Sequence, residues 1–521
     1  MTETDISRRR FLRRAGWAGA AVAVPVTSGY VGYRLPRSTA STEQTPPAPA
    51  PQAADPTPDV HHFVSRPDLS PPRLTFTDAK DDESALPTTP GYLFLGPKGY
   101  QETGPGQQGC MLVDRKGRPV WLLPLTGEDE VPMDFRTQTY RGEPVLTWWQ
   151  GTVHTGYGTG VGVIYDSSYR KVAEVRTGNG IAEADLHEFL LTDEDTALLV
   201  AYQPHRADLT AVGGPADGWL HSGVVQEVDV ETGEVLFQWD SIDHVALTET
   251  EQKLGEQGSK DAPFDYFHIN SAGVDADGDL LVSARNTCAI YKISRRDGSV
   301  VWRLGGTRSD FELGDGARFS WQHDARALPG DRLSLFDNAS SPPRAKRSRG
   351  LILRLDPGAM RATVHREYVH PADLLADNQG SMQVLPEGRA LVGWGAQPYT
   401  SEFSAEGELL ADWRFPAPDQ SYRAWAGEWT GKPVDRPAVA VQRNNARGNL
   451  VYASWNGATE VRRWRILAGP SAQRLEPVAT MPRSGFETAV AVNADGPFFV
   501  AVALGEDGTE LGRSDPIRKA G

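Results

Sequence analysis

The sequence predicts an all-β chain: a six-bladed β-propeller followed by a C-terminal immunoglobulin- or fibronectin-like β-sandwich. Three observations carry this. A strand–turn–strand unit with Asp or Ser at its turn recurs at Asp114, Asp166, Asp229, Ser294, Asp356 and Ser404, at intervals of 48 to 65 residues. A second kind of hairpin, such as LHEFLLTDEDTALLVAY and FHINSAGVDADGDLLVSA, alternates with the first. Two hairpins per period make a four-stranded sheet, and six such sheets arranged radially make a propeller. Beyond about Val434 the pattern changes to seven short strands separated by turn residues, which suits a sandwich. The Cys…Trp…Cys signature is absent there, which favours the fibronectin-like version.

The totals agree with this class. The chain has 521 residues, enough for one large repeat domain and a smaller one. Its 53 Gly and 38 Pro suit many short strands and tight turns. A formal net charge of −15 argues against nucleic-acid binding, which needs a basic footprint. Cys110 and Cys288 stand far apart and have no metal-type spacing; sequence alone leaves their pairing open.

In chain order, residues 1–37 read as a twin-arginine export signal. Ser7-Arg8-Arg9-Arg10-Phe11-Leu12 precedes an Ala/Gly/Val stretch to about Val26. The expected location is extracellular, periplasmic or cell-surface, with the export machinery as a partner and membrane contact only through an uncleaved leader. Residues 38–58 are rich in Thr, Ala, Pro and Gln and read as a disordered linker. The propeller is expected over 59–433, beginning with a short arm, and the sandwich over 434–521. The one helix-like stretch, Ala246–Gln257, reads as an excursion between strands. Asp275-Ala276-Asp277-Gly278-Asp279 lacks the Glu of a calcium loop and reads as a hairpin turn. The glycines of Gly156–Gly160 precede a strand rather than a helix, so they do not form a phosphate cradle.

Aligned on their turns, the second-type hairpins place His187, His268 and His323 at equivalent starting points. Gly380 falls at the matching place in the next hairpin, with Gln379 beside it. Arg285 lies 17 residues after His268, so an antiparallel hairpin returns it to the same mouth. Any one histidine at a strand start is more often structural, because buried polar groups need partners. Three in register with one arginine point instead to an anion site with a nucleophilic or acid–base histidine. The remaining histidines, among them His154, His205, His221 and His370, show no such register and read as surface or loop residues.

The leader, the six-fold repeat and the motifs Asp185-Leu186-His187, His268-Ile269-Asn270, Ser283-Ala284-Arg285 and Trp321-Gln322-His323 resemble the bacterial arylsulfotransferase family. The resemblance extends from about Phe63 to Pro433. It is greatest to a divergent branch carrying a C-terminal sandwich. It implies a sulfotransferase that moves a sulfuryl group from an aryl sulfate to a phenol, without the nucleotide donor PAPS, through a sulfated histidine. His323 would be the nucleophile. His187, His268 and Arg285 would hold sulfuryl oxygens and assist proton transfer. Asn270, Gln322, Gln379 and Trp321 would contact substrate. No metal and no cofactor is implied. The chemistry is coherent, since a planar guanidinium suits sulfuryl oxygens and a neutral imidazole is a competent nucleophile. Trp148, Trp149, Tyr202, Trp321 and Trp394 are either ring-binding walls or sheet core. The alternative is a non-catalytic surface propeller binding an anionic or glycan ligand; a pure binder would use Arg or Lys more than His. A quinoprotein dehydrogenase, suggested by DVETGEVLFQW, would show more regular Trp repeats.

Overall fold

The computed structural model describes residues 58–519 except 80–90, 100–101, 126, 128, 182, 444–447 and 495. The twin-arginine segment and all but the last residue of the expected linker lie outside the described residues. Within them the chain is all-β, with six sheets before residue 430 and two after it, antiparallel but for two short parallel pairings, Phe264–Asp265 on Gly218–Asp229 and Glu312–Leu313 on Arg361–Tyr368.

Each of the six sheets has an innermost strand followed outward by three more. Sheet B runs Val131–Tyr140, Glu143–Val153, Gly158–Tyr165, Lys171–Val175. Sheet C runs Phe189–Leu191, Thr196–Ala207, Gly218–Asp229, Val235–Asp240. Sheet D runs Ile269–Val274, Leu280–Ala284, Ala289–Ile293, Val300–Gly305. Sheet E runs His323–Leu328, Arg332–Asp337, Arg349–Asp356, Arg361–Tyr368. Sheet F runs Ser381–Val384, Ala390–Gly393, Tyr399–Phe403, Leu409–Arg414. Sheet A is made from both ends of this region: Gln420–Gly427 is innermost, then Tyr92–Lys98, Gly109–Asp114 and Pro119–Pro124. The expected arm is more than a lead-in, since its strand Thr75–Asp78 adds a fifth strand to sheet F against Leu409–Arg414.

The outer turn of every sheet is closed by the expected Asp or Ser. Asp114, Asp166, Asp229 and Asp356 accept backbone N–H bonds from two to four residues ahead, and Ser294 and Ser404 do the same through Oγ. Short polar side chains capping their own turn are the physical source of the repeat. The Asp275–Asp279 turn likewise binds its own backbone, and Lys292 lies 2.7 and 2.5 Å from Asp275 and Asp277. The helix-like stretch forms only a 3₁₀ turn, Leu247–Glu249.

Buried residues run almost without break along the middle strands, as in Leu280–Ala284 and Ala289–Ile293, so each sheet is covered on both faces. Each pair of neighbouring sheets encloses one apolar cluster. Phe94, Trp121 and Trp148 lie between A and B, Trp149, Ile164 and Phe189 between B and C, and Val200, Phe267 and Tyr291 between C and D. Leu304, Phe319 and Leu335 lie between D and E, Phe336, Met382 and Trp394 between E and F, and Leu391, Trp413 and Leu93 between F and A. The order of contact returns to its start, a propeller-like arrangement.

At the centre the innermost strands meet in a buried layer of three carboxylates and three guanidiniums. Arg136 lies 3.1 Å from Asp134 and 2.8 Å from Glu188. Arg326 lies 2.7 Å from both Glu188 and Asp324. Arg423, fully enclosed, lies 2.9 Å from Asp134 and 3.4 Å from Glu188, and donates to Asn270 O. Asp324 also accepts from the Met382 N–H, so all six sheets are tied to this layer. Burial raises the Glu188 pKa, but Arg326, Arg423 and Arg136 outweigh it and bring the group to about 2.

After residue 430, the strands Ala438–Arg443, Asn449–Ser454 and Glu487–Val492 form one sheet. Arg463–Ser471, Arg474–Pro482, Phe498–Leu504, Glu510–Arg513 and Ile517–Arg518 form the other. Val451, Trp464, Ile466, Val490 and Phe499 share one core between them. The last expected strand is thus two short ones. Glu487 accepts from the Val64 and Ser65 N–H groups, and Asn456 exchanges two hydrogen bonds with the backbone of Leu122. Cys110 and Cys288 are separately buried and unpaired.

Two outcomes follow from the charge layer. Arg423→Met leaves Asp134 and Glu188 buried with less compensation and is expected to lower unfolding free energy by about 3–5 kcal/mol in urea melts of the full chain; a loss within experimental error would refute the layer's role. Because the Glu188 pKa is depressed when folded, its contribution is present above about pH 4.5 and is lost as pH falls toward 2. Replacing Glu188 with Gln should therefore flatten the acid limb of stability against pH.

Candidate active site at the mouth of the sheet ring

The three histidines converge. One ring nitrogen from each of His187, His268 and His323 lies within 4.8 Å of the others. Ring centroids are 5.1 Å apart for His187 and His268 and 6.4 Å for His187 and His323. His187 and His323 are buried, and His268 is nearly so.

Each imidazole is held from behind through Nδ1. His187 Nδ1 donates to Asp185 Oδ1 at 2.5 Å, and His268 Nδ1 to Asp265 Oδ2 at 2.5 Å. An ionised carboxylate only accepts, so the proton sits on Nδ1 and Nε2 faces the cluster. Asp185 is itself fixed by the N–H groups of His187 and Gly158, at 3.0 and 2.6 Å. A side chain at Gly158 would strike the Trp149 ring at 2.7 Å, so the glycine lets the backbone reach this carboxylate.

His323 is held differently. Its Nδ1 faces Asn338 Oδ1 at 2.7 Å. Asn338 Nδ2 donates to the carbonyls of Ala376 and Gln379, which fixes the amide with oxygen toward the ring. His323 therefore carries its proton on Nδ1, and the Nε2 lone pair accepts from the Gln379 N–H at 3.3 Å. Burial, reinforced by His187 and Arg285, holds His323 well below the ordinary histidine pKa. Burial also lowers His268, with His187 and Arg285 adding to it against the pull of Asp265. Several of these residues sit in left-handed backbone: His268, Trp321, Asp324 and Gln379 have φ of 53°, 56°, 55° and 63°. Such conformations cost about 1–3 kcal/mol each and persist where the surroundings impose them.

Arg285 returns to the mouth as its spacing requires, its N–H donating to His268 O at 2.8 Å. Its guanidinium donates to Asn286 Oδ1 and Ser341 O and lies 5.0 Å from the Trp321 ring centroid. The four expected contact residues divide. Gln379 stands at the cluster, with its Oε1 buried and unpartnered. Trp321 is buried, donates to Pro342 O, and carries Arg285 on its ring. Asn270 and Gln322 are fully enclosed; Asn270 donates to Gln322 O, and Gln322 Nε2 serves Ser283 Oγ and the carbonyls of Ala284 and Ala289. These two fasten sheets D and E together beneath the mouth.

Among the aromatic candidates, Trp148, Trp149 and Trp394 belong to the cores between sheets. Tyr202 faces the site, its ring 6.0 and 5.8 Å from His187 and His268, and burial keeps its phenol protonated. The sequence reading gave no role to Asp185, Asp265, Asn338 or Tyr422, which donates to His187 O. A signal for two of them exists: a carboxylate two or three residues before the histidine, in D-L-H and D-Y-F-H. His221 and His370, read as surface or loop residues, are buried, and His221 packs on Tyr157 and Tyr202.

The sequence model of the arylsulfotransferase (ASST) family matches residues 136–415, more than half of the chain. The chain belongs to the arylsulfotransferase family. The matched span holds His187, His268, Arg285, His323 and Gln379. No curated protein matches the chain. Similar solved structures include a Bacteroides caccae protein of unknown function, at 12% identity and TM-score 0.37, covering 64% of this chain and 98% of that one. Another is a β-propeller domain from Myceliophteria thermophila, at 13% identity and TM-score 0.31, covering 64% and 95%. A third is a Lactobacillus plantarum protein, at 12% identity and TM-score 0.34, covering 77% and 99%. Likeness at that level says nothing of activity.

The triad of ring nitrogens is compact enough to serve one cation, and equally to surround one sulfuryl group with an arginine at its edge. The tautomer of His323 is directly measurable. ¹⁵N-imidazole spectra should show its Nε2 unprotonated at neutral pH, and still so near pH 6, where an ordinary histidine is mostly charged. A protonated His323 at pH 6 would overturn the geometry described.

Proposed function

We propose that this arylsulfotransferase-family chain transfers a sulfuryl group from an aryl sulfate to a phenol through a sulfohistidine at His323, without PAPS. The observation that carries the reading is the locked, neutral His323, whose lone pair points into a ring of two further imidazoles. In the first half-reaction, Nε2 attacks sulfur in line with the aryl oxygen. An N–S bond forms and the S–O(aryl) bond breaks. His187, with its imidazolium stabilised by Asp185, gives its Nε2 proton to the departing phenolate. In the second half, neutral His187 takes the acceptor phenol's proton, the phenolate attacks sulfur, and the N–S bond breaks to return neutral His323. Arg285, and His268 as the imidazolium that Asp265 supports, hold the sulfuryl oxygens, and the Gln379 N–H, freed as Nε2 engages sulfur, donates to one of them. Sulfuryl transfer, like phosphoryl transfer, asks for positioning and charge stabilisation more than for covalent help.

The architecture suits this reading. Six sheets in cyclic contact act as the blades of a propeller over 59–433, closed by pairing Gln420–Gly427 with Tyr92–Lys98. The two C-terminal sheets form a fibronectin-like sandwich over 434–521. The arginine-paired leader directs export by the twin-arginine route. Asn270 and Gln322 act by holding sheets in place, while Gln379 and Trp321 border the substrate. The alternative, a non-catalytic anion-binding propeller, fits less well, because His323, neutral with a fixed lone pair turned into the site, is a poor anion receptor.

Full-length protein should turn over 4-nitrophenyl sulfate only when phenol is present, independently of PAPS, and release a single equivalent of 4-nitrophenol without it. Without acceptor, the chain should gain the mass of one SO₃ group on His323. His323→Ala should abolish both; transfer surviving in that variant would sink the reading. Asp185→Asn should slow turnover by about 10²–10⁴. The loss should be greater with phenyl sulfate, whose phenolate needs a proton, than with 4-nitrophenyl sulfate. An equal loss with both donors would assign His187 a structural role.

A further inference from the structure

A second feature, which the sulfuryl chemistry does not use, lies at the ends of two neighbouring sheets. A cleft of about 590 Å³ opens between sheets D and E. Its place is set by strand register. Ala284, Ala289 and Gly305 are paired across sheet D, and Asp337 with Arg349 across sheet E, so the cleft lies at the end of both sheets where Arg285 and Asn338 emerge. The cleft is therefore on the same face as the mouth. The loop bordering it, Ser341 to Arg349, is fastened to the site twice: Ser341 O accepts from Arg285, and Pro342 O from Trp321 Nε1. Arg344 from this loop lies 4.4 Å from the Trp321 ring centroid, the same ring that carries Arg285.

Five basic side chains and four carboxylates line the cleft, which makes it slightly basic in an acidic chain. Arg344, Lys346, Arg347 and Arg349 fall within six residues of a protein whose formal net charge is −15. Three of these are matched, Arg344 by Glu251, Arg347 by Asp373, and Arg349 by Asp337 and Glu367. Lys346 and Arg318 line the cleft with no carboxylate partner among the described residues. Both are solvent-exposed, so their charge is available to a ligand.

We propose that this cleft is a subsite for a second anionic group on the aryl substrate, so that the enzyme's preferred phenols and aryl sulfates carry a carboxylate or similar anion on a short arm. This rests on the sulfotransferase reading, since it places the phenol oxygen at His323. The arm then runs outward past Trp321 to Lys346 and Arg318. Paired guanidiniums around them keep the subsite ordered, and the two unpaired cations supply the attraction. A single positive charge facing solvent contributes modestly and is screened by salt, so selectivity, not rate alone, is its signature.

The test uses two acceptors of equal reach, 3-(4-hydroxyphenyl)propionate and its uncharged amide, with 4-nitrophenyl sulfate as donor. Full-length wild type at low ionic strength should favour the carboxylate in kcat/KM by about tenfold. The ratio should fall toward one in the Arg318→Ala/Lys346→Ala double variant and in high salt, with the amide's kcat/KM unchanged. A ratio near one in wild type, or the same ratio in the variant, would overturn the subsite while leaving the sulfotransferase intact. If neither phenol is sulfated, the sulfotransferase reading fails. Calorimetric binding of the two phenols to wild type and variant then decides the subsite by the same ratio.

Discussion

The buried charge layer at the centre of the ring is the constraint on which the rest depends. Three carboxylates and three guanidiniums, drawn from sheets A, B, C and E, lie where the six innermost strands converge. Desolvating six charges is expensive, and well-packed apolar side chains would serve stability as well. What apolar side chains lack is direction. Arg423 reaches the carbonyl of Asn270 on sheet D, Arg136 that of Phe189 on sheet C, and Asp324 the N–H of Met382 on sheet F. Each bond fixes how far one innermost strand stands from the next.

That fixed spacing is inherited by the site, because the functional residues lie beside the charged ones in the chain. His187 precedes Glu188, His323 precedes Asp324, and Tyr422 precedes Arg423. A slip of one residue in any of these strands would exchange an imidazole for a charge at the mouth. A second set of contacts then sets ring orientation: Asp185, Asp265 and Asn338 each grip an Nδ1 and turn an Nε2 inward. The difference among them has a chemical consequence. A carboxylate supports an imidazolium and so suits a histidine that carries a proton. A neutral amide gives no such support and suits one that must keep its lone pair.

Much of this was legible in the chain. The outer turns announce themselves because each is closed by its own Asp or Ser, a local interaction needing no distant partner. The histidine register was legible because it rides on that repeat, and Arg285 because an antiparallel hairpin must return. The gap lay in sheet A, whose innermost strand is some 320 residues from its neighbour and carries no sign of that pairing. Asp185 and Asp265 were in plain view but look like any turn aspartate. Asn338 was hidden, since it approaches His323 from the next strand of the sheet. Gln322 drew attention by standing next to His323, whereas alternation along a strand turns neighbouring side chains to opposite sides; Asn270 stands two residues after His268, at a register shift between Ile269 and Ser271.

The all-β class, the period, the change of pattern after Val434 and the three histidines with their arginine can all be read along the chain. Each of these is carried by local patterning: alternation, turn chemistry and spacing along one hairpin. Folding settles the rest: which nitrogen of each histidine faces the site, which polar residues are enclosed, and where the basic loop after Ser341 comes to rest. Those outcomes depend on side chains from different sheets meeting at the axis, and one chain read in order holds no record of which distant residues will desolvate one another.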